Sequence, residues 1–495
     1  METKRSRTNT VLLILTCAVV LLPIGLAACD SLEEEPYGFT SSNDFYQTPD
    51  EIRQALTAAY EVLADGGLYA SDWLYVNDAA SEIATTRFQR NEDGGELDFL
   101  DVDPNNGLVE NIWRASYEGI NRANTVIINA PGVEFADEKL QSRVVAEARF
   151  LRALHYFNLV RLFGGVPLSL EATTEVSSDL QKPRASVDEV YEAIISDLEF
   201  AEQNLLPRGE TEQGKATIGA TRTLLGKVYL TRERWSDARD MFEQVINAGT
   251  YDLLDNFEQL WNGRTSGSEE IIFATQFADA PGAGGPDNTI FAPLGSDLAP
   301  ESATSTVFAE MPFYENFPAG PRKEATFLTE YVDPATGDTI SFPEFSPRPY
   351  PHNEKYIDTR SPTRDFVDVP ILRYAEVLLM YAKVLNEINQ GPTTEAYRAV
   401  NQVRNRSELE DLPTGLSYSQ FDDAVFQETR WELAFEGHGY VGLIRTGRLK
   451  QVVERAAMAH PYFPNNVSIS ETDYRLPIPE RELDVNPNLD QNPGY

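Results

Sequence analysis

Leu225-Gly226-Lys227-Val228-Tyr229, followed by Ala238 and Phe242, is the stretch that decides the fold. Its spacing is that of a tetratricopeptide helix pair. Gly226 and Ala238 are small where two helices would cross, and Tyr229 and Phe242 are large enough to fill the neighbouring grooves. The pattern predicts helices over 217–232 and 235–248. A looser copy, Tyr381-Ala382-x-x-Leu385 with Ala396 and Val400, predicts a second pair over 370–390 and 393–408. Residues 141–163 and 187–204 form a third candidate pair, separated by an insertion. Stacked helix pairs make a scaffold that can present a surface, without saying to what.

Outward from these repeats, Thr48 to Ala64 has an N-cap candidate, Pro49 at the first helical position, and Ile52, Ala55, Leu56, Ala59 and Tyr60 at helical spacing. Another helix is expected over 111–129, and further ones over 418–437 and 446–457. The helix over 141–163 is stopped by Gly164-Gly165. From 263 to 360 Gly, Pro, Ser and Thr dominate, apart from the β-like run Glu270 to Ala274. A loop-rich stretch of this length inside a folded protein is usually functional. The Pro/Asn-rich C-terminal tail should lie extended over the helices.

The N-terminus carries an address. Lys4, Arg5 and Arg7 precede an uncharged stretch, Val11 to Ala28, that closes as Leu26-Ala27-Ala28-Cys29. A basic start, an apolar core and small residues before a cut are what a secretory signal requires. The alternative is an uncleaved span, but the stretch is near the minimum length and Pro23 and Gly25 weaken it. Asp30 to Pro36 is acidic and aperiodic, a short tether. The chain thus divides into a leader (1–28), a tether (29–36), an N-terminal helical region (37–262) and a C-terminal region (263–495) containing the loop-rich insertion 263–360.

The formal net charge is −37, which opposes association with nucleic acid or anionic lipid surfaces. Both cysteines, Cys17 and Cys29, fall in or at the end of the leader. The mature chain therefore has no thiol pair for a disulfide and no Cys-based metal site. No cofactor is expected.

Several blocks resemble the SusD/RagB family of nutrient-binding lipoproteins of Bacteroidetes and their relatives. They are Ala148-Arg149-Phe150-Leu151-Arg152-Ala153 running on to Gly164-Gly165-Val166-Pro167, Ile371 to Ala382, Val403 to Arg406, Glu428 to Gly437, and the ending Pro477-Ile478-Pro479 to Tyr495. Cys29 resembles the lipobox cysteine of bacterial lipoproteins, which receives a diacylglycerol. The resemblance implies a mostly α-helical fold with about four tetratricopeptide-like pairs, minor β structure and a looped ligand face. It also implies a protein anchored by lipid on the outer face of the outer membrane. There it would partner a SusC-like, TonB-dependent transporter and pass on glycans, or in some members peptides, without catalysis.

A sugar site needs flat apolar faces for the ring and amides, carboxylates or Arg for the hydroxyls. Two segments offer them. Trp73, Tyr75, Asn77, Asp78, Arg87 and Phe88 precede the glycine-rich 91–95 turn, and Phe313, Tyr314 and Phe317 lie in the loop-rich insertion. Trp73 and Tyr75 could equally be core residues, and Trp113, Trp235, Trp261 and Trp431 are assigned to the core. Glu432, Glu436 and His438 could suggest metal or acid/base chemistry, but a structural ion network paired by Arg430, Arg445 and Arg448 is the better reading. No catalytic or metal-binding residue is assigned. The rival functions are a binder of peptides or another polymer, a lipid-anchored glycoside hydrolase and a pure interaction scaffold.

Overall fold

The computed structural model describes residues 45–173, 181–261, 267–277, 305–333, 335–356, 367–459 and 468–495. The leader, Cys29 and the tether lie outside the described residues. The folded unit runs from Gln47 to Tyr495. Among the described residues no helix is long and apolar enough to cross a membrane.

Eight helices build the scaffold in four pairs. They are α1 (Pro49–Glu61) with α4 (Gly107–Asn129), α5 (Glu138–Phe163) with α6 (Val187–Asn204), α7 (Ile218–Thr231) with α8 (Trp235–Asn247), and α11 (Tyr374–Asn389) with α12 (Thr394–Arg406). Each pair also packs on the next, α4 on α5, α6 on α7 and α8 on α11, so the apolar stripes merge into one continuous core. Local chemistry fixes the helix starts. Thr48 with Glu51 and Ser186 with Glu189 form reciprocal capping boxes.

The repeat motif does what its spacing predicts. Gly226, Ala238 and Phe242 are buried, and a Cβ on Gly226 would stand 2.4 Å from Cε1 of Phe242. Only a residue without a side chain lets α7 and α8 approach this closely.

Inserted between α1 and α4 are α2 (Asp72–Ala79), strand β1 (Ala84–Thr86) and α3 (Asp93–Asp98). Between α8 and α11 come β2 (Ile271–Thr275), β3 (Val307–Ala309), α9 (Met311–Asn316), α10 (Pro321–Glu324), β4 (Phe327–Leu328), the hairpin β5–β6 (Glu330–Val332 and Thr339–Ser341), β7 (His352–Asn353) and β8 (Val369–Arg373). All pairings among them are two-stranded and antiparallel. The chain ends with α13 (Tyr418–Glu432), α14 (Gly439–Thr446), α15 (Leu449–Ala459) and α16 (Glu480–Val485).

Two differences from the sequence expectations have clear causes. Residues 369–373 are a strand, because their backbone pairs with β2, and α11 starts only at Tyr374. The helix expected over 418–437 ends at Glu432, because the chain leaves helical geometry at Leu433 (φ −102°, ψ 16°) and turns left-handed at Phe435 (φ 61°). The tail is laid over the scaffold as expected: the Leu476 amide donates to Leu162 O at 2.8 Å, and Asn492 Nδ2 donates to Phe163 O at 3.1 Å.

Candidate ligand-binding face

The two segments singled out for ligand contact lie about 220 residues apart, yet the fold joins them. β1 pairs with β3 in the register Ala84–Ala309, Thr85–Phe308, Thr86–Val307. The Arg87 amide extends the ribbon by donating to Thr306 O at 3.2 Å, and the Glu310 amide donates to Ile83 O at 2.9 Å. Because the strands are antiparallel, Arg87 and Phe88 leave one end of the ribbon, while α9 with Tyr314 follows the other.

Six of the nine candidate side chains lie in the interior. Helix α2 is buried along its whole length, so Trp73, Tyr75, Asn77 and Asp78 pack inward instead of lining a loop. Asn77 accepts a hydrogen bond from the Val441 amide at 3.3 Å and so ties α2 to α14. Burial pushes the Asp78 carboxyl up to about 8, against the pull of Arg430. Phe313 and Phe317 are also buried and meet Phe327 edge-on, at 6.4 and 5.0 Å between ring centres.

The remaining three, Arg87, Phe88 and Tyr314, are partly exposed. The Arg87 guanidinium sits 5.3 Å from the centre of the Phe88 ring. Tyr314 meets Phe327 and Phe342 edge-on at 5.1 and 5.7 Å, and Lys323 Nζ lies 4.1 Å from its ring centre. Sequence reasoning passed over Phe99, Tyr331 and Phe342, which are partly exposed aromatics of the same two regions. An aromatic in a Gly/Pro-rich segment is the signal that could have found Tyr331 and Phe342.

The face rests on buried polar supports. Asp98 Oδ2, in α3, accepts from the Thr85 hydroxyl at 2.9 Å and the Thr86 amide at 3.1 Å. Burial raises its carboxyl to about 7. The glycine turn is built for close contact, since a Cβ on Gly94 would stand 2.1 Å from the Tyr75 hydroxyl and 2.6 Å from Cδ2 of Phe88. His352 is held as a neutral core imidazole: Nδ1 donates to Tyr350 O at 3.0 Å, and Nε2 pairs with Ser305 Oγ at 2.9 Å. Its pKa falls to about 4 through burial. His155 is fully buried and likewise lowered to about 4. Trp113 and Trp261 are core residues, whereas Trp235 and Trp431 are partly exposed.

Glu432 and Glu436 belong to a buried ion network, with partners other than those expected. Arg373 binds Glu270 at 2.9 Å, Glu432 at 2.5 Å and Glu436 at 2.7 Å. Arg322 bridges Glu428 and Glu432 at 2.7 and 2.8 Å. Arg404 binds Glu428 at 2.7 Å, Arg406 binds Glu270 at 3.0 Å as well as Glu432, and Lys355 binds Glu436 at 2.7 Å. The expected partners go elsewhere, Arg430 to Glu82 and Arg448 to Asp422 and Asp423. Arg406, Arg373 and Arg322 hold the Glu432 carboxyl well below the usual range despite its burial. These glutamates are saturated with cations and are poor proton shuttles. Among the described residues no group of His, Cys, Asp and Glu has the geometry of a metal site.

Comparison with known proteins agrees with this architecture. A model of the SusD family matches residues 302–495, and one described as "Starch-binding associating with outer membrane" matches residues 30–230. The chain belongs to the SusD/RagB family. SusD-like protein P25 of Formosa agariphila is 26% identical, over 95% of this chain and 96% of its own length. A SusD homolog from Bacteroides thetaiotaomicron superposes with a TM-score of 0.80 at 24% identity, covering 92% of this chain and 99% of that one. A structure described as a laminarin binding SusD-like protein gives a TM-score of 0.76 at 26% identity, over 91% of this chain and all of the other. The SusD/RagB family is thus one of carbohydrate-binding proteins associated with the outer membrane.

Proposed function

We propose that this chain is a surface-exposed lipoprotein, anchored through Cys29, that binds a glycan and passes it unaltered to a SusC-like, TonB-dependent transporter. The observation that carries the reading is the β1–β3 ribbon, which joins two aromatic- and arginine-bearing segments on the helical scaffold of a glycan-binding family. Arg87 and Phe88 at one end and Tyr314 at the other suit an extended chain better than a single ring. Three paired positions span about 7–10 Å at the usual rise per residue. The saturated ion network supports binding without catalysis.

The test is calorimetry of the purified mature protein, in detergent, against soluble laminarin, starch and other glycans, with product sizing after incubation. Saturable binding of at least one glycan, with its chain length unchanged, is the expected result. Tyr314→Ala should weaken that binding by about 1–3 kcal/mol, the scale of an aromatic anchor. Shortened glycan would instead reveal a hydrolase. Binding of peptides with no glycan bound would move the ligand class.

A further inference from the structure

A cavity of about 80 Å³ lies within the scaffold, walled by α7, α11, α13 and α14 and lined apart from the aromatic face. Leu379, Leu433 and Val441 give it apolar walls, and Arg161, Lys227, Glu376, His438 and Arg445 give it a charged lining. At its rim the Asp422 carboxylate joins Lys383 and Arg448, with side chains about a fifth exposed.

The charges around this cavity do not balance. Arg430 is neutralised by Glu82 at 2.7 Å, Lys227 by Glu376, and Lys383 by Glu387 at 2.5 Å and Asp422. Arg161 donates to Phe157 O at 3.1 Å and Asn158 Oδ1 at 2.7 Å, and it packs on the Phe157 ring at 4.1 Å; none of these is an anion. Arg445 makes no hydrogen bond or contact ion pair among the described residues, and burial lowers its pKa against the pull of Glu376 and Asp422. Arg161 and Arg445 are thus left sharing the field of Glu376 with Lys227, with no carboxylate in contact with either, in a chain of net charge −37. His438 registers the resulting field. Burial first, and then Lys227 and Arg161, drive its pKa well below the ordinary value. The opposite demand is present as well, because the buried Oε2 of Glu376 accepts no hydrogen bond. A buried acceptor left unmet keeps its full desolvation penalty.

One occupant meets both demands: an anion for Arg445 and a hydrogen-bond donor for Glu376. A single water needs about 10–15 Å³ on this measure, so the cavity holds some five to eight non-hydrogen atoms. We infer that this cavity is a second ligand site that takes a short hydroxy acid, with the carboxylate on Arg445 and a hydroxyl donating to Glu376 Oε2. The apolar walls keep the ion pair out of bulk water, and a guanidinium–carboxylate contact is stronger in such a low-dielectric setting.

The experiment is calorimetry on the full mature protein with sodium D-glycerate, propionate, glycerol and sodium chloride at matched ionic strength. Glycerate should bind saturably, at least tenfold tighter than propionate, which lacks the hydroxyl, and glycerol should not bind. Arg445→Gln should weaken glycerate at least tenfold and leave glycan affinity at the aromatic face unchanged. A crystal soaked in glycerate should show the ligand between Arg445 and Glu376, which tests the site even if the variant does not fold. Equal responses to glycerate, propionate and chloride would overturn the inference, as would full glycerate affinity in Arg445→Gln or an empty cavity after soaking. Those failures leave the glycan reading standing, since it is read at Tyr314.

Discussion

A methyl group on Gly226 would have to share space with the Phe242 ring, 2.4 Å away, at the crossing of α7 and α8. Gly226→Ala should therefore destabilise the protein by about 1–3 kcal/mol, the usual cost of overpacking, as measured by denaturant unfolding. Asp98 offers a test in pH. Its folded carboxyl is raised to about 7 by burial, above the unfolded value of about 4, so the folded state holds the extra proton between those limits. The stability this contributes is complete below pH 4 and is lost as pH rises through 7. His155 and His352 are lowered to about 4 and work in the opposite sense below 6.5, so a comparison with Asp98→Asn isolates the aspartate. The advantage of wild type over Asp98→Asn should shrink between pH 4.5 and 7.5, and a constant difference would count against the assignment. Residue types in the sequence offered candidates for a sugar face but not their exposure. Trp73 and Tyr314 read alike as aromatics, and only tertiary packing puts one inside and leaves the other at the surface.

Elements with a one-sided apolar stripe were legible almost to the residue; 187–204 is α6 without adjustment. Helix α2 was not legible, because all eight of its residues are buried, Asp72, Asn77 and Asp78 included, so no polar face alternates with an apolar one to give a helical period. Residues 370–373 of β8 were read into the following helix for a related reason. A short, fully buried apolar run does not distinguish strand from helix, and the partner strand that decides it lies about a hundred residues earlier. The same distance hid the partners of Glu432. Its arginines come from α10, β8 and α12, which no local pattern connects to α13. Because Arg373, Arg322 and Arg406 converge on it at 0–3% exposure, Glu432→Ala should cost about 3–5 kcal/mol by leaving buried cations uncompensated. A loss below 1 kcal/mol on chemical denaturation would show that the network relaxes or admits water.

Across the whole molecule, three of the four scaffold pairs were legible directly in the sequence and the fourth only through the family resemblance, and the insertions between pairs carry what it left open. The candidate face and the ion network both form between stretches far apart in the chain, so neither can be assembled from a local motif. The tail adds a constraint of another kind. The last turn of α5 exposes Leu162 O and Phe163 O, and these acceptors are met by Leu476 and Asn492. Arg184 reinforces the join through Asp490 O at 3.0 Å and Asn492 Oδ1 at 2.8 Å. A chain folding from its N-terminus can pair its early helices but must wait for residues 476–492 to finish the second pair. Completion of the scaffold is thereby tied to a segment far along the chain, and a chain cut before Leu476 would carry every helix pair yet lack the latch that closes them.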